Sequence, residues 1–328
     1  MTGCAVSATS SSATMSRSAI ALLSVACIAI AALRGQSPDG ADWEKAAGGK
    51  MAFEVASVKL AKPGTFTMPS FFLDLGDAKP PGGRFSGSWP LALYISFAYK
   101  LESFQFEPMG AQLPKWARDE YAIDAKADGN PAKDQMRLMM QSLLADRFKL
   151  RVHFESKEVP VLALILVTPG KLGPKLRPHS EGPPCPDSFQ MLNPLTTPPP
   201  QLPKVGDVWP PQCGTAGEVL ATLEGTRIGS RNTTMGLLAQ DIYSYGSRLR
   251  ELDKPVVDQT GLAGRFDYML ALPPGIISLI PKPPNPDDPP KGTPVLNAVR
   301  EQLGLKLVRS RGEIRTLMID HVEKPSEN

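Results

Sequence analysis

Three histidines, His153, His179 and His321, are all that the chain offers for imidazole chemistry. Asp320 stands directly before His321 and is the best local candidate for an acid/base partner. Neighbouring side chains on a strand point to opposite faces, however, so this pair cannot orient itself as general acid/base work requires. A hydrolase acting outside the cytoplasm through the His321 region is therefore the second reading. No G-x-S-x-G elbow, phosphate-cradling loop or G-x-G-x-x-G occurs, and no residue is assigned a catalytic role. Arginines offer a different chemistry. Arg84 and Arg227 open corresponding strand-to-helix units, and Arg118 and Arg265 precede corresponding strands. Planar guanidinium groups bind carboxylate or phosphate in bidentate fashion, so the four together suggest a small anionic ligand held between two modules. Ion pairing between modules, with carboxylates such as Asp119 and Asp267, is the plainer expectation for the same residues.

Cysteine counting points to the compartment. Cys4 and Cys27 fall in an N-terminal segment that reads as a leader, which leaves Cys185 and Cys213. In an oxidising compartment two such cysteines pair, and two isolated cysteines without a nearby histidine pair make a poor zinc site. No metal and no cofactor is expected. The leader reading rests on residues 1–35, where Arg17 is the lone charge before the apolar run Ala19 to Leu33, and Ala29 and Ala31 supply small residues for cleavage. That run, about 15 residues, is short of the roughly 20 needed to cross a bilayer, so no stable span is expected once the leader is removed. The expected location is periplasmic or extracellular, with tethering if the leader stays attached.

Composition places the rest in the globular class. At 42% hydrophobic and 21% charged, 328 residues can bury one large or two medium cores. A formal charge of +3 over this length is too mild to argue for nucleic acid as a partner. The 34 prolines gather in loops, among them 61–82, 179–216 and 273–294.

The elements that would position these groups are given twice. Gly83-Arg84-Phe85-Ser86, an apolar helix from Leu91, and Tyr121 to Ala125 as a strand are echoed by Thr226-Arg227-Ile228-Gly229, a helix after Thr233-Thr234, and Asp267 to Leu270. A helix over 132–146 follows, with Met136, Met139, Met140, Leu143 and Leu144 on one stripe and Asp134, Arg137, Gln141 and Asp146 outside it. Its counterpart begins near Val295. Two strands then close each half, 149–155 with 159–168 and 305–309 with 314–322. The expected fold is α+β: two related modules from an internal repeat, 52–178 and 217–325, each about strand-helix-strand-helix-strand-strand with mixed or antiparallel sheets. A Pro-rich, disulfide-bearing connector, 179–216, joins them.

Phe53-Glu54-Val55-Ala56-Ser57-Val58-Lys59, Gly82-Gly83-Arg84-Phe85, Leu143-Leu144-Ala145-Asp146-Arg147-Phe148-Lys149-Leu150, Pro255 to Leu262 and Ile319 to Glu327 resemble a soil-associated family of exported proteins expanded in Acidobacteria and defined by a domain of unknown function. The resemblance implies no established activity. It also implies occasional attachment of the domain to metallopeptidase receptors similar to beta-lactam sensors, although no His-Glu-x-x-His occurs in this sequence. Ser88-Trp89-Pro90 departs from the family's usual polar turn. The functional expectation is a non-catalytic envelope protein that binds an unknown protein or a small anionic ligand.

Overall fold

A computed structural model describes residues 40–62, 73–78, 82–185, 213–222, 225–272 and 294–325, together with Phe71, Pro80, Trp209 and Pro210. The leader reading and, of the Pro-rich 273–294 loop, residues 273–293 lie outside these residues.

The first sheet has three strands. Strands β1 (Val55–Leu60), β2 (Arg84–Pro90) and β3 (Glu120–Lys126) pair antiparallel in the order β1-β3-β2. Pro90 ends β2 at φ −58 and ψ 149, and α2 (Leu91–Ala98) starts on the next residue. The proline sits where a missing N–H costs no helical bond. A short α1 (Gly40–Ala46) precedes this sheet. After α2 comes α3 (Ser103–Gly110), then α4 (Lys133–Arg147), whose Met136, Met139, Met140, Leu143 and Leu144 are all buried as the stripe predicts.

The second sheet has the order β5-β9-β7-β6, formed by β5 (Leu176–Pro178), β6 (Glu218–Thr222), β7 (Gly225–Thr233) and β9 (Phe266–Leu272). Helices α5 (Met235–Arg248) and α6 (Pro294–Leu303) flank it in sequence. Thr234 caps α5 by accepting the Leu237 N–H at 3.2 Å. The strand order β5-β9-β7 has the form of β1-β3-β2, but β5 lies upstream of the expected connector. Its pairing with β9 places Leu176–Pro178 in the second sheet, not the first.

The largest difference from expectation lies in the closing strands. Each predicted pair is one strand: β4 runs Arg151–Leu166 and β10 runs Leu305–His321. They pair antiparallel along nearly their whole length, from Leu305 opposite Leu166 to His321 opposite Arg151. β8 (Val256–Asp258) joins β4 in parallel. The middle, Glu155 to Glu158 against Glu313 to Thr316, reads locally as a break. Paired across the ribbon it is a solvated stretch, held in part by Arg311 Nε donating to Glu158 at 3.1 Å.

This ribbon joins two cores. One contains Phe85, Tyr94, Phe97, Met136 and Phe148 and receives Leu317 from β10 with Val152 and Phe154 from β4. The other contains Ile228, Ile242, Tyr268 and Val299 and receives Leu305 from β10 with Leu164 from β4. Both strands therefore cross from one core into the other.

The edge of β10 opposite β4 is finished by side chains. Gln112 donates from Nε2 to the Leu317 carbonyl at 3.0 Å and accepts the Ile319 N–H through Oε1 at 2.9 Å, in the manner of a one-residue strand. Gln105 donates to the Arg315 carbonyl. Replacing Gln112 by Ala frees one donor and one acceptor at a partly exposed edge, so Gln112→Ala should lower stability by about 1 kcal/mol, read from the urea midpoint. An unchanged midpoint would contradict the role given to this side chain.

Candidate functional site

The four predicted arginines have different surroundings among the described residues. Arg84 is exposed and donates to Asp124 on the neighbouring strand at 3.2 Å. Arg118 is exposed at the end of a 3-10 turn, and Arg227 is half-buried on β7 between Leu220 and Ala271. Arg265 grips Asp77 with both terminal nitrogens and donates to the Asn232 carbonyl at 2.9 Å. Asp77 lies in the first half of the sequence and Arg265 in the second, so this pair joins the halves.

The histidines take carboxylate partners that local sequence conceals. His153 on β4 meets Asp320 on β10 at 2.7 Å, across the ribbon. His321 takes Glu323 at 2.7 Å. The bulge between Ile319 and His321 interrupts the strict alternation of β10, so it is their separate partners, and not opposite faces of a regular strand, that keep Asp320 and His321 from acting as a pair. His179 sits on a 3-10 turn, His179–Glu181, after β5. Its Nδ1 lies 2.7 Å from Asp267 Oδ1, and its Nε2 lies 3.5 Å from Cys185 Sγ. Asp267 is therefore committed to His179, with Arg177 and Arg231 nearby, and not to Arg265.

Cys185 and Cys213 form the expected disulfide, with Cα atoms 5.8 Å apart. Beyond Cys213 the chain enters a buried polar seam that sequence reading missed. Ala216 donates its N–H to Asp74 Oδ2 at 2.6 Å, and Asp74 also holds Lys133 through Oδ1. Arg137, drawn on the solvent side of its helix by periodicity, has a fully buried side chain. It pairs with Asp134 and donates to the carbonyls of Asp74 at 2.7 Å and Gly76 at 3.0 Å. A second knot adjoins it: Asp241 Oδ2 accepts the Tyr268 hydroxyl at 2.7 Å and the Gly217 N–H at 2.8 Å, while Tyr245 donates to the Gly217 carbonyl.

Burial governs ionisation in this seam. It pushes the carboxyls of Asp241 and Glu218 up to about 7 and the Lys133 ammonium down to about 8. Unfolded, an aspartate ionises near 3.8. Below that pH both states hold the proton and burial of Asp241 carries no ionic cost. As pH rises towards 7, only the unfolded chain releases it, so stability falls through this window and then levels off. The difference in denaturation midpoint between Asp241→Asn and the parent should therefore grow from pH 4 to pH 7. A difference independent of pH would refute the assignment.

Among the described residues, no group of three or more His, Cys, Asp or Glu is gathered closely enough to hold a metal ion. No helix of those residues is long and apolar enough to cross a membrane. A depression of about 290 Å³ beside the end of α4 is lined by Asp146, Arg147, Lys149, Glu323 and Lys324, charges of both signs.

The family described as "Protein of unknown function (DUF3738)" matches residues 92–322. The chain belongs to that family. In this DUF3738 protein the matched stretch begins one residue into α2 and ends just past β10, so it takes in the ribbon, the knot around Asp241 and the disulfide, but not Asp74 and Gly76 of the first knot. Strands β1 and β2 lie before it. No curated protein and no solved structure matches this chain.

Proposed function

We propose that this DUF3738 protein is exported and serves in the cell envelope as a non-catalytic binding protein for another protein or a small anionic ligand. The disulfide between Cys185 and Cys213 carries the export reading, since such bonds persist in oxidising compartments and are rare in the cytosol. The apolar N-terminal run and the resemblance to exported, soil-associated proteins of Acidobacteria point the same way. Binding rests on surface features. β1 and β6 are edge strands, and Val55 is 65% exposed on the first and Val219 40% exposed on the second, which suits addition of an extended partner segment.

Fractionation of native cells, followed by alkylation and non-reducing mass analysis, tests location. The mature chain should appear outside the cytoplasm with no free thiol. Recovery from the cytosol with both thiols labelled would end the export reading. For binding, a pull-down from the envelope fraction should lose its partners when Val55→Lys and Val219→Lys are introduced together. If instead an activity appears that His153→Ala or His321→Ala abolishes, the hydrolase reading replaces this one; the 2.7 Å pairing of His153 with Asp320 is the observation that speaks for it.

A further inference from the structure

The turn before Cys185 is built around the sulfur. β7 carries an irregularity between Ser230 and Thr233, and within it Asn232 adopts φ 52. Bulges of this kind re-aim side chains next to functional groups. Here the Asn232 N–H is turned onto Asp267 Oδ1 at 3.0 Å, and the guanidinium of Arg231 donates to the carbonyls of Pro183 and Pro184, the latter at 2.9 Å. Arg231 thereby fixes the two residues leading into Cys185. Gly214, the residue after Cys213, donates its N–H to the Arg231 carbonyl at 2.8 Å. One bulged segment thus holds both arms of the disulfide.

His179 is fixed by the same frame. Its backbone N–H donates to the Arg265 carbonyl at 2.8 Å, and its ring stands between Asp267 and Cys185, 2.7 Å from the carboxylate and 3.5 Å from the sulfur. Carboxylate, imidazole and sulfur in that order form the arrangement that activates a cysteine in nucleophilic catalysis. In this chain the sulfur is already oxidised. The imidazole can then act on the bond: a protonated ring held by Asp267 presents Nε2–H to Sγ of Cys185 and stabilises that sulfur as a departing thiolate. The side chain of His179 is 20% exposed and both cysteines are half-buried, so an external thiol can reach the pair.

We propose that Cys185–Cys213 is a redox-active disulfide that exchanges with an external dithiol, with Cys185 as the sulfur released first. A thiolate of the dithiol attacks Sγ of Cys213, the Cys185–Cys213 bond breaks, and its electron pair leaves on Cys185 beside the His179 imidazolium. The second thiolate of the dithiol then attacks its own sulfur in the mixed disulfide and releases Cys213. Two electrons and two protons pass to this chain, and the dithiol becomes a disulfide. Among the described residues the charged groups near the pair are Arg177, His179 and Glu181 on the preceding segment, Asp77 beside Gly214, Arg231 on β7, Arg265 just before β9 and Asp267 on it.

Two measurements on the purified full chain test this, whatever its location in the cell. In buffers of graded reduced to oxidised dithiothreitol, with trapping by alkylation, His179→Ala should need about a tenfold higher ratio for half-reduction, equivalent to roughly 30 mV for a two-electron couple. In the reduced parent, iodoacetamide at pH 6 should label Cys185 at least tenfold faster than Cys213, and both His179→Ala and Asp267→Asn should remove that preference. A purely structural disulfide would show the same midpoint in parent and variant and no preference between the thiols, and either result overturns the proposal. Should His179→Ala fail to fold, the labelling rates of the parent decide alone.

Discussion

Arg137→Ala should lower stability by about 3–5 kcal/mol, the range found when one member of a buried ion pair is removed and its partners stay behind. Its guanidinium is fully enclosed, holds Asp134, and satisfies the carbonyls of Asp74 and Gly76. It also lies 5.5 Å from the Phe97 ring centre, so truncation leaves a void beside an aromatic cluster as well as two stripped carbonyls. Arg137→Lys keeps the charge but cannot span both carbonyls and Asp134 with one ammonium, so it should fall between Ala and the parent. Urea unfolding of the three proteins gives the ranking. A loss below about 1 kcal/mol for Arg137→Ala would show that the seam contributes little to the fold.

That arginine also marks where sequence reading stops. The stripe Met136, Met139, Met140, Leu143 and Leu144 is legible because it repeats at helical spacing, and periodicity put Arg137 on the other side. It could not show that the aperiodic segment Asp74 to Gly76, about sixty residues upstream, covers that side with carbonyl oxygens. Helix α3 was missed for a related reason: Pro108 lies inside it and its apolar residues form no clear face. The ribbon was read as four strands because Glu155-Ser156-Lys157-Glu158 looks like a turn until Glu313 to Thr316 are known to lie across from it. The disulfide and the α+β class were legible from cysteine number and element order. The pairing of His179 with Asp267 was not, since 88 positions separate them and nothing local marks either residue.

Loss of the disulfide should have the second large effect. Cys185 and Cys213 are 28 positions apart, and closing a loop of that length restricts the unfolded chain by about 3–4 kcal/mol. The double variant Cys185→Ser, Cys213→Ser should lose that much in urea unfolding, and so should the reduced parent. The damage should begin in the seam, because Cys213 leads directly into Gly214, whose carbonyl accepts the Ala78 N–H at 2.9 Å, and into Ala216, which holds Asp74. Hydrogen exchange should therefore quicken first at Ala78, Ala216 and Gly217, before the buried strands β3 and β9 respond. By thermodynamic linkage the same energy must appear in the exchange equilibrium: at 1.4 kcal/mol per tenfold change, folding favours the oxidised form by roughly two to three powers of ten. The stabilisation of Cys185 thiolate by His179 opposes that preference in the folded chain alone. In 8 M urea, about the strength that unfolds most small domains, the parent and His179→Ala should be reduced at the same ratio of dithiothreitol. If the two differ as much unfolded as folded, His179 does not act through the native turn, and if the double Ser variant loses under about 1 kcal/mol, the bond does not brace the seam.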